Sequence, residues 1–140
     1  MAIPPYLTLD IVTPDRSILH EQVDEVEIPG ADGYFGVLPG HTPLLATLKV
    51  GELWYRKGSD RHFLSLAFGF AEVLPDRVTI LAQIAEKAEE IDVDRAEQEK
   101  KRAQEALSRA SADVDLERAR ASMLKALVRL RVATRARTRG

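Results

Sequence analysis

Gln83-Ile84-Ala85-Glu86-Lys87-Ala88-Glu89-Glu90-Ile91-Asp92-Val93-Asp94-Arg95-Ala96 is the stretch on which the reading of this 140-residue chain turns. Before it, large apolar residues alternate with polar ones in short runs broken by proline and glycine. After Gln83, alanine and charge dominate, and the last proline is Pro75. Period-two alternation belongs to strands, whereas steps of three and four belong to helices. The expected class is therefore α+β: a β-sandwich or flattened barrel over 1–90, then an antiparallel helical hairpin over 91–140.

Working backwards from the divide, strands are predicted at 6–13, 23–28, 44–50, 52–56, 62–67, 70–74 and 77–81. Turn residues separate them: Pro14-Asp15, Pro29-Gly30, Gly51, Lys57-Gly58-Ser59-Asp60, Gly69 and Pro75-Asp76. Short strands at close spacing argue for two packed layers or a closed barrel.

Working forwards, Asp92 can cap a helix whose first turn carries Asp94 and Glu97, acids suited to the positive end of its dipole. Ala96, Ala103, Ala106, Leu107 and Ala110 form a narrow stripe along it. Ser111-Ala112-Asp113 reads as a short connection to a second helix over 114–139, and so short a link favours an antiparallel pair. From Arg118 to the end there are eight basic residues and no acidic one: Arg118, Arg120, Lys125, Arg129, Arg131, Arg135, Arg137 and Arg139. Leu116, Ala119, Met123, Leu124, Leu127, Leu130 and Ala133 are threaded among them. Alanine removes far less apolar area from water than leucine does. Two alanine-faced helices should therefore be weakly fixed yet intrinsically helical, a detachable arm.

The net charge of −2 conceals opposed halves. Residues 1–90 carry seven Lys/Arg against fourteen Asp/Glu, and residues 91–140 carry thirteen against eight. Such halves attract each other or seek different partners. There is no cysteine, so disulfides and thiolate metal sites are excluded. No signal peptide is expected from 1–6, and no apolar run approaches the ~20 residues of a membrane span. No phosphate-cradling Gly-x-x-x-x-Gly-Lys-Ser/Thr loop and no nucleophile–base spacing appears, so an enzyme is not expected. His20, His41 and His62 lie far apart in sequence and read as ordinary histidines, not as metal ligands.

Gly30-Ala31-Asp32-Gly33-Tyr34-Phe35-Gly36-Val37-Leu38-Pro39-Gly40-His41-Thr42-Pro43-Leu44-Leu45 resembles the signature loop of the epsilon subunits of F-type ATP synthases. The resemblance continues, in order, through Gly69-Phe70-Ala71-Glu72-Val73, Val78-Thr79-Ile80-Leu81-Ala82, Glu86-Lys87-Ala88-Glu89-Glu90-Ile91-Asp92 and Leu130-Arg131-Val132, covering nearly the whole chain. It implies a non-catalytic part of the rotor's central stalk, coupling proton flow to ATP synthesis. The implied partners are the gamma subunit, bound by the sandwich, and the ring of c subunits, met by the loop 30–41 through Gly30, Asp32, Tyr34 and His41. Its glycines and the prolines at 39 and 43 suit a shaped, rigid loop there.

The resemblance further implies that the hairpin either folds or extends into the alpha/beta catalytic head and restrains ATP hydrolysis. Arg118, Arg120, Lys125, Arg129, Arg131 and Arg135 would then meet an acidic segment of the beta subunit. No cofactor is required, but ATP is implied as a regulatory ligand. Ile91-Asp92-Val93-Asp94-Arg95-Ala96 matches the nucleotide motif of some bacterial members, with Glu86, Arg102, Lys125 and Arg129 at family-like places. Lys125 stands where an arginine is expected, offering phosphate a point charge in place of a planar fork. The implied location is peripheral, on the cytoplasmic face of the bacterial inner membrane or the stromal face of the thylakoid, with membrane association only through the complex.

The competing reading is a small nucleic-acid-binding protein using the basic helix. The acidic β half and few aromatics weigh against it. A membrane-surface helix would want Trp or Phe on its apolar face, and this helix has neither.

Overall fold

The computed structural model describes residues 2–138, with side chains through Ala136. Arg139 and the side chain of Arg137 lie outside the described residues. The chain divides into two compact units, Met1–Glu86 and Lys87–Gly140.

The first unit is built from β1 (Leu7–Val12), β2 (Ser17–Val23), β3 (Glu25–Gly30), β4 (Gly33–Val37), β5 (Leu44–Leu48), β6 (Gly51–Lys57), β7 (Asp60–Leu74) and β8 (Arg77–Lys87). Pairing runs β2-β1-β8-β7-β5-β3-β4, and β6 bridges β3 and β7. Most neighbours are antiparallel, but β1 and β8 are parallel. Every strand contributes to one core. Leu7, Leu9 and Ile11 of β1 alternate inward, as do Val78, Ile80 and Ala82 of β8, and Val26, Ile28, Leu53, Leu64 and Leu66 close it. The expected sandwich stands.

Its details depart from the sequence reading in three places. The strand expected at 23–28 is two strands meeting at Asp24, whose amide donates to the Arg56 carbonyl while its carboxylate accepts from the Gly58 amide. The strand before it, β2, buries only Leu19 and Val23 among charged neighbours, so its alternation is faint. Strands expected at 62–67 and 70–74 are the single 15-residue β7. It changes partners from β6 to β5 around Phe68 and Gly69, both at positive φ (59° and 128°). A Cβ on Gly69 would stand 1.9 Å from the Leu81 carbonyl oxygen, so only glycine permits the approach of β8. Third, most of the expected loop 30–41 is strand. β3 and β4 form a hairpin turning at Ala31-Asp32, and only the residues after Val37 are irregular.

The second unit opens with a 3-10 turn at Ala88–Glu90, followed by α1 (Val93–Arg109) and α2 (Asp113–Thr138). Asp92 caps α1 as expected, accepting from the Arg95 amide at 3.1 Å. At 26 residues α2 is about 39 Å long. The helices run antiparallel and meet through alanine. Ala96 and Ala103 on α1 are buried, as are Ala119, Ala126 and Ala133, seven apart, on α2; Val128 and Val132 are buried as well. The stripe expected on α1 is used only at its start. Ala106 is exposed and Leu107 and Ala110 are half-buried, because a cleft separates the helices towards their connection. On α2, Val114, Leu124 and Leu127 are exposed, so its apolar residues exceed what α1 covers.

Candidate functional site

The β unit offers two features. At the tip of the β3–β4 hairpin Asp32 is exposed, and Gly30 pairs with Gly33. Tyr34 is anchored: its hydroxyl accepts the Glu52 amide at 3.0 Å, and the Lys49 ammonium sits 4.7 Å from its ring centroid. Gly51 must lack a side chain for this, since a Cβ there would meet the Tyr34 hydroxyl at 2.5 Å. His41 lies beyond the other end of β4. Its Nδ1 donates to the Thr42 carbonyl at 2.6 Å, and its neighbour Gly40 donates to the Pro75 carbonyl. A five-residue strand thus separates Asp32 from His41, roughly 16 Å at about 3.3 Å per residue. Tyr34 stays near the Asp32 end.

The second feature escaped the sequence reading. Thr47 pairs with Phe70 and Val12 with Leu81, across the neighbouring strands β5, β7, β8 and β1. The partners of these residues in alternation point into the core, so Leu45, Phe70 and Leu81 face outward, and all three are exposed. Three large apolar side chains on one solvent-facing sheet surface suit a docking face. The signal was present as bulky residues out of phase with the buried set.

In the helical unit, the expected cations separate by direction. Arg118 and Lys125 line the cleft between α1 and α2, together with Arg102 and Arg109 of α1, the acids Glu99 and Asp115, and a floor that includes Ala103, Ala106 and Ala119. Its volume is about 570 Å³. Arg129 reaches across the helices to Glu99, Nη1 to Oε2 at 2.8 Å, and Arg95 holds the other oxygen of the same carboxylate, Nε to Oε1 at 3.3 Å. Arg120 stands outside, near Glu117 at 3.8 Å, and Arg131 is exposed. Arg135 is half-buried. Arg95 and Arg129 therefore share one carboxylate, and Arg102 and Lys125 line the same cleft as that carboxylate. Ile91 is buried just ahead of the cap, and Ala96 lies under the helix contact. Glu86 belongs to the β unit, near the end of β8. Among the described residues, no group of acidic or histidine side chains is placed to hold a metal ion, and no helix is long and apolar enough to cross a membrane.

Glu99 was not among the expected site residues. Its position four after Arg95 on one helix face was the available sign.

Residues 6–88 match the family described as ATP synthase, Delta/Epsilon chain, beta-sandwich domain, and residues 89–134 match its long alpha-helix domain. The ATP synthase epsilon chain of Nitratidesulfovibrio vulgaris is 48% identical over 126 residues, covering 90% of this chain and 94% of that one. Among solved structures, a chain of the Euglena gracilis mitochondrial ATP synthase (OSCP/F1/c-ring, rotational state 1) superposes with a TM-score of 0.80 at 23% identity, covering 99% of this chain and 84% of that one. A chain of the Tetrahymena thermophila mitochondrial ATP synthase central stalk and c-ring gives a TM-score of 0.57 at 15% identity, over 96% of this chain and 98% of that one. Those two likenesses bear on the fold. With both of its units matched in order and a near-full-length relative at almost half identity, the chain belongs to the ATP synthase delta/epsilon family.

Proposed function

We propose that this protein is a non-catalytic central-stalk subunit whose β unit joins the gamma subunit to the c ring, and whose helical unit restrains ATP hydrolysis. Family membership supports the first half, and the outward row of Leu45, Phe70 and Leu81 supplies an apolar face for a shaft subunit. The tip of the β3–β4 hairpin, held by Tyr34, would present Gly30 and Asp32 to the c ring, with His41 approaching from beyond β4. This would place the protein peripherally on the cytoplasmic side of an energy-coupling membrane.

For the second half, the observation that carries the reading is the alanine contact between α1 and α2. Ala96 and Ala103 against Ala119, Ala126 and Ala133 hold the helices together with little buried area, while Leu124 and Leu127 remain exposed on α2. Such a pair can part without losing its helices. Once extended, α2 would offer Arg118, Arg120, Lys125, Arg129, Arg131 and Arg135 to an acidic segment of the beta subunit, several weak pairs acting together. ATP would favour the folded pair by binding through Asp92, Arg95, Arg102, Lys125 and Arg129, with Ile91 and Ala96 shaping the helix start. A ligand shifts such a population only through differential affinity.

The test is a complex reconstituted with the chain truncated after Ala110. Assembly with gamma should persist and ATP hydrolysis should rise several-fold; unchanged hydrolysis in the assembled complex would remove the regulatory role.

A further inference from the structure

Glu99 holds two guanidiniums with its two oxygens, and they come from different helices. Oε2 accepts from Arg129 Nη1 at 2.8 Å across the hairpin, and Oε1 accepts from Arg95 Nε at 3.3 Å within α1. The Arg129 side chain keeps only 14% of its accessible surface and Glu99 keeps 34%, so the cross-helix pair is partly shielded from solvent. Two guanidiniums converging on one small oxyanion is the arrangement that proteins use for phosphate. Here the anion is supplied by the chain itself. Arg102, which lines the cleft beside Glu99, makes no ion pair among the described residues, so Glu99 has left part of the cationic field unneutralised.

We infer that Glu99 is a built-in anion with two consequences: it latches α1 to α2 through Arg129, and it closes the Arg95–Arg129 seat to phosphate-bearing ligands, setting how weakly the helical unit binds a nucleotide. The second consequence rests on the nucleotide reading above; the latch does not. A phosphate entering the seat must displace Glu99 and then stay beside a like charge, a double cost in a region screened less than open solvent. The seat opens when Glu99 turns away or is replaced by a neutral side chain.

Two measurements on the full chain separate the parts. ATP, with tripolyphosphate as a base-free control, is titrated calorimetrically into the parent, Glu99→Gln, and Glu99→Gln combined with Arg129→Gln. Glu99→Gln should tighten ATP binding about tenfold or more, and adding Arg129→Gln should abolish the gain. If the parent and Glu99→Gln bind ATP equally, the seat is not closed by Glu99, and the nucleotide reading survives without it. If none of the three binds ATP or tripolyphosphate, the nucleotide reading falls and the gating half falls with it.

The latch is read without any ligand, by amide exchange over 96–103 in Glu99→Gln, Arg129→Gln and the double variant. Each single change should speed exchange about fivefold, and the double should be no faster than either. Losses that simply multiply would overturn the latch.

Discussion

The two units hold themselves together with different side chains, and the contrast bears on the proposed division into a mount and a moving arm. Among the described residues, the eight fully buried leucines and isoleucines, Leu7, Leu9, Ile11, Ile28, Leu53, Leu64, Leu66 and Ile80, are all in the β unit. Every one of its strands feeds that core, so no strand can leave without opening it. Among the described residues the helical unit buries six alanines, two valines and Ile91, spread along two helices of which α2 is nearly forty ångströms long, and adds the partly shielded Glu99–Arg129 pair. Burying a leucine contributes about 1.5–3 kcal/mol and an alanine much less. Residue type thus sets how firmly each unit is held.

The largest expected effect breaks the rigid side of this contrast. Ile80→Ala removes three heavy atoms from a fully buried site on β8, between the β1 and β7 neighbours. It should cost about 2–5 kcal/mol, because the sheet around it can collapse only in part. Urea unfolding followed by Trp54 fluorescence should show the fall in midpoint. A loss under 1 kcal/mol would mean that this core is far looser than its burial indicates.

A smaller effect separates the units. Asp92→Ala deletes the side-chain acceptor at 3.1 Å from the Arg95 amide, leaving an orphan donor in the first turn of α1. The expected cost is about 1 kcal/mol. It should appear as faster amide exchange over the start of α1, with the urea midpoint of the β unit unchanged. If the β unit shifts equally, the two units unfold as one and the division at Glu86 and Lys87 has no energetic meaning.

How much of this was legible in the sequence follows the same divide. Helices announce themselves locally: Asp92 before an acidic first turn, and a long proline-free run after Pro75, are enough to place α1 and α2. Strands depend on neighbours. β4 was hidden because Gly33 and Gly36 erase its alternation, yet pairing with β3 makes it a strand. The turn residue Gly69 suggested a break, whereas its positive φ lets a single strand swerve and approach β8. The outward row of Leu45, Phe70 and Leu81 becomes a surface only once the order β5-β7-β8 is known. In the helical unit the sequence named the cations but not their anion. Glu99 matters because of what α2 brings to it, a tertiary fact that the i,i+4 spacing with Arg95 only half discloses.

The smallest expected effect is the most useful for function. Arg120 points away from the α1–α2 contact, and its pair with Glu117, 3.8 Å apart with both side chains largely exposed, should contribute between about 0 and 1 kcal/mol. Arg120→Ala should therefore leave amide exchange along α2 and the thermal midpoint of the isolated chain where they were. Any rise in ATP hydrolysis that it causes in an assembled complex must then come from a contact made outside the folded hairpin. Arg129→Ala would confound the two, because Arg129 is already engaged with Glu99. A change in hydrolysis with Arg120→Ala, erased by raising salt from about 0.05 to 0.5 M, would identify an exposed charge contact in the extended arm. No change at either salt would remove Arg120 from the cations proposed to reach the catalytic head.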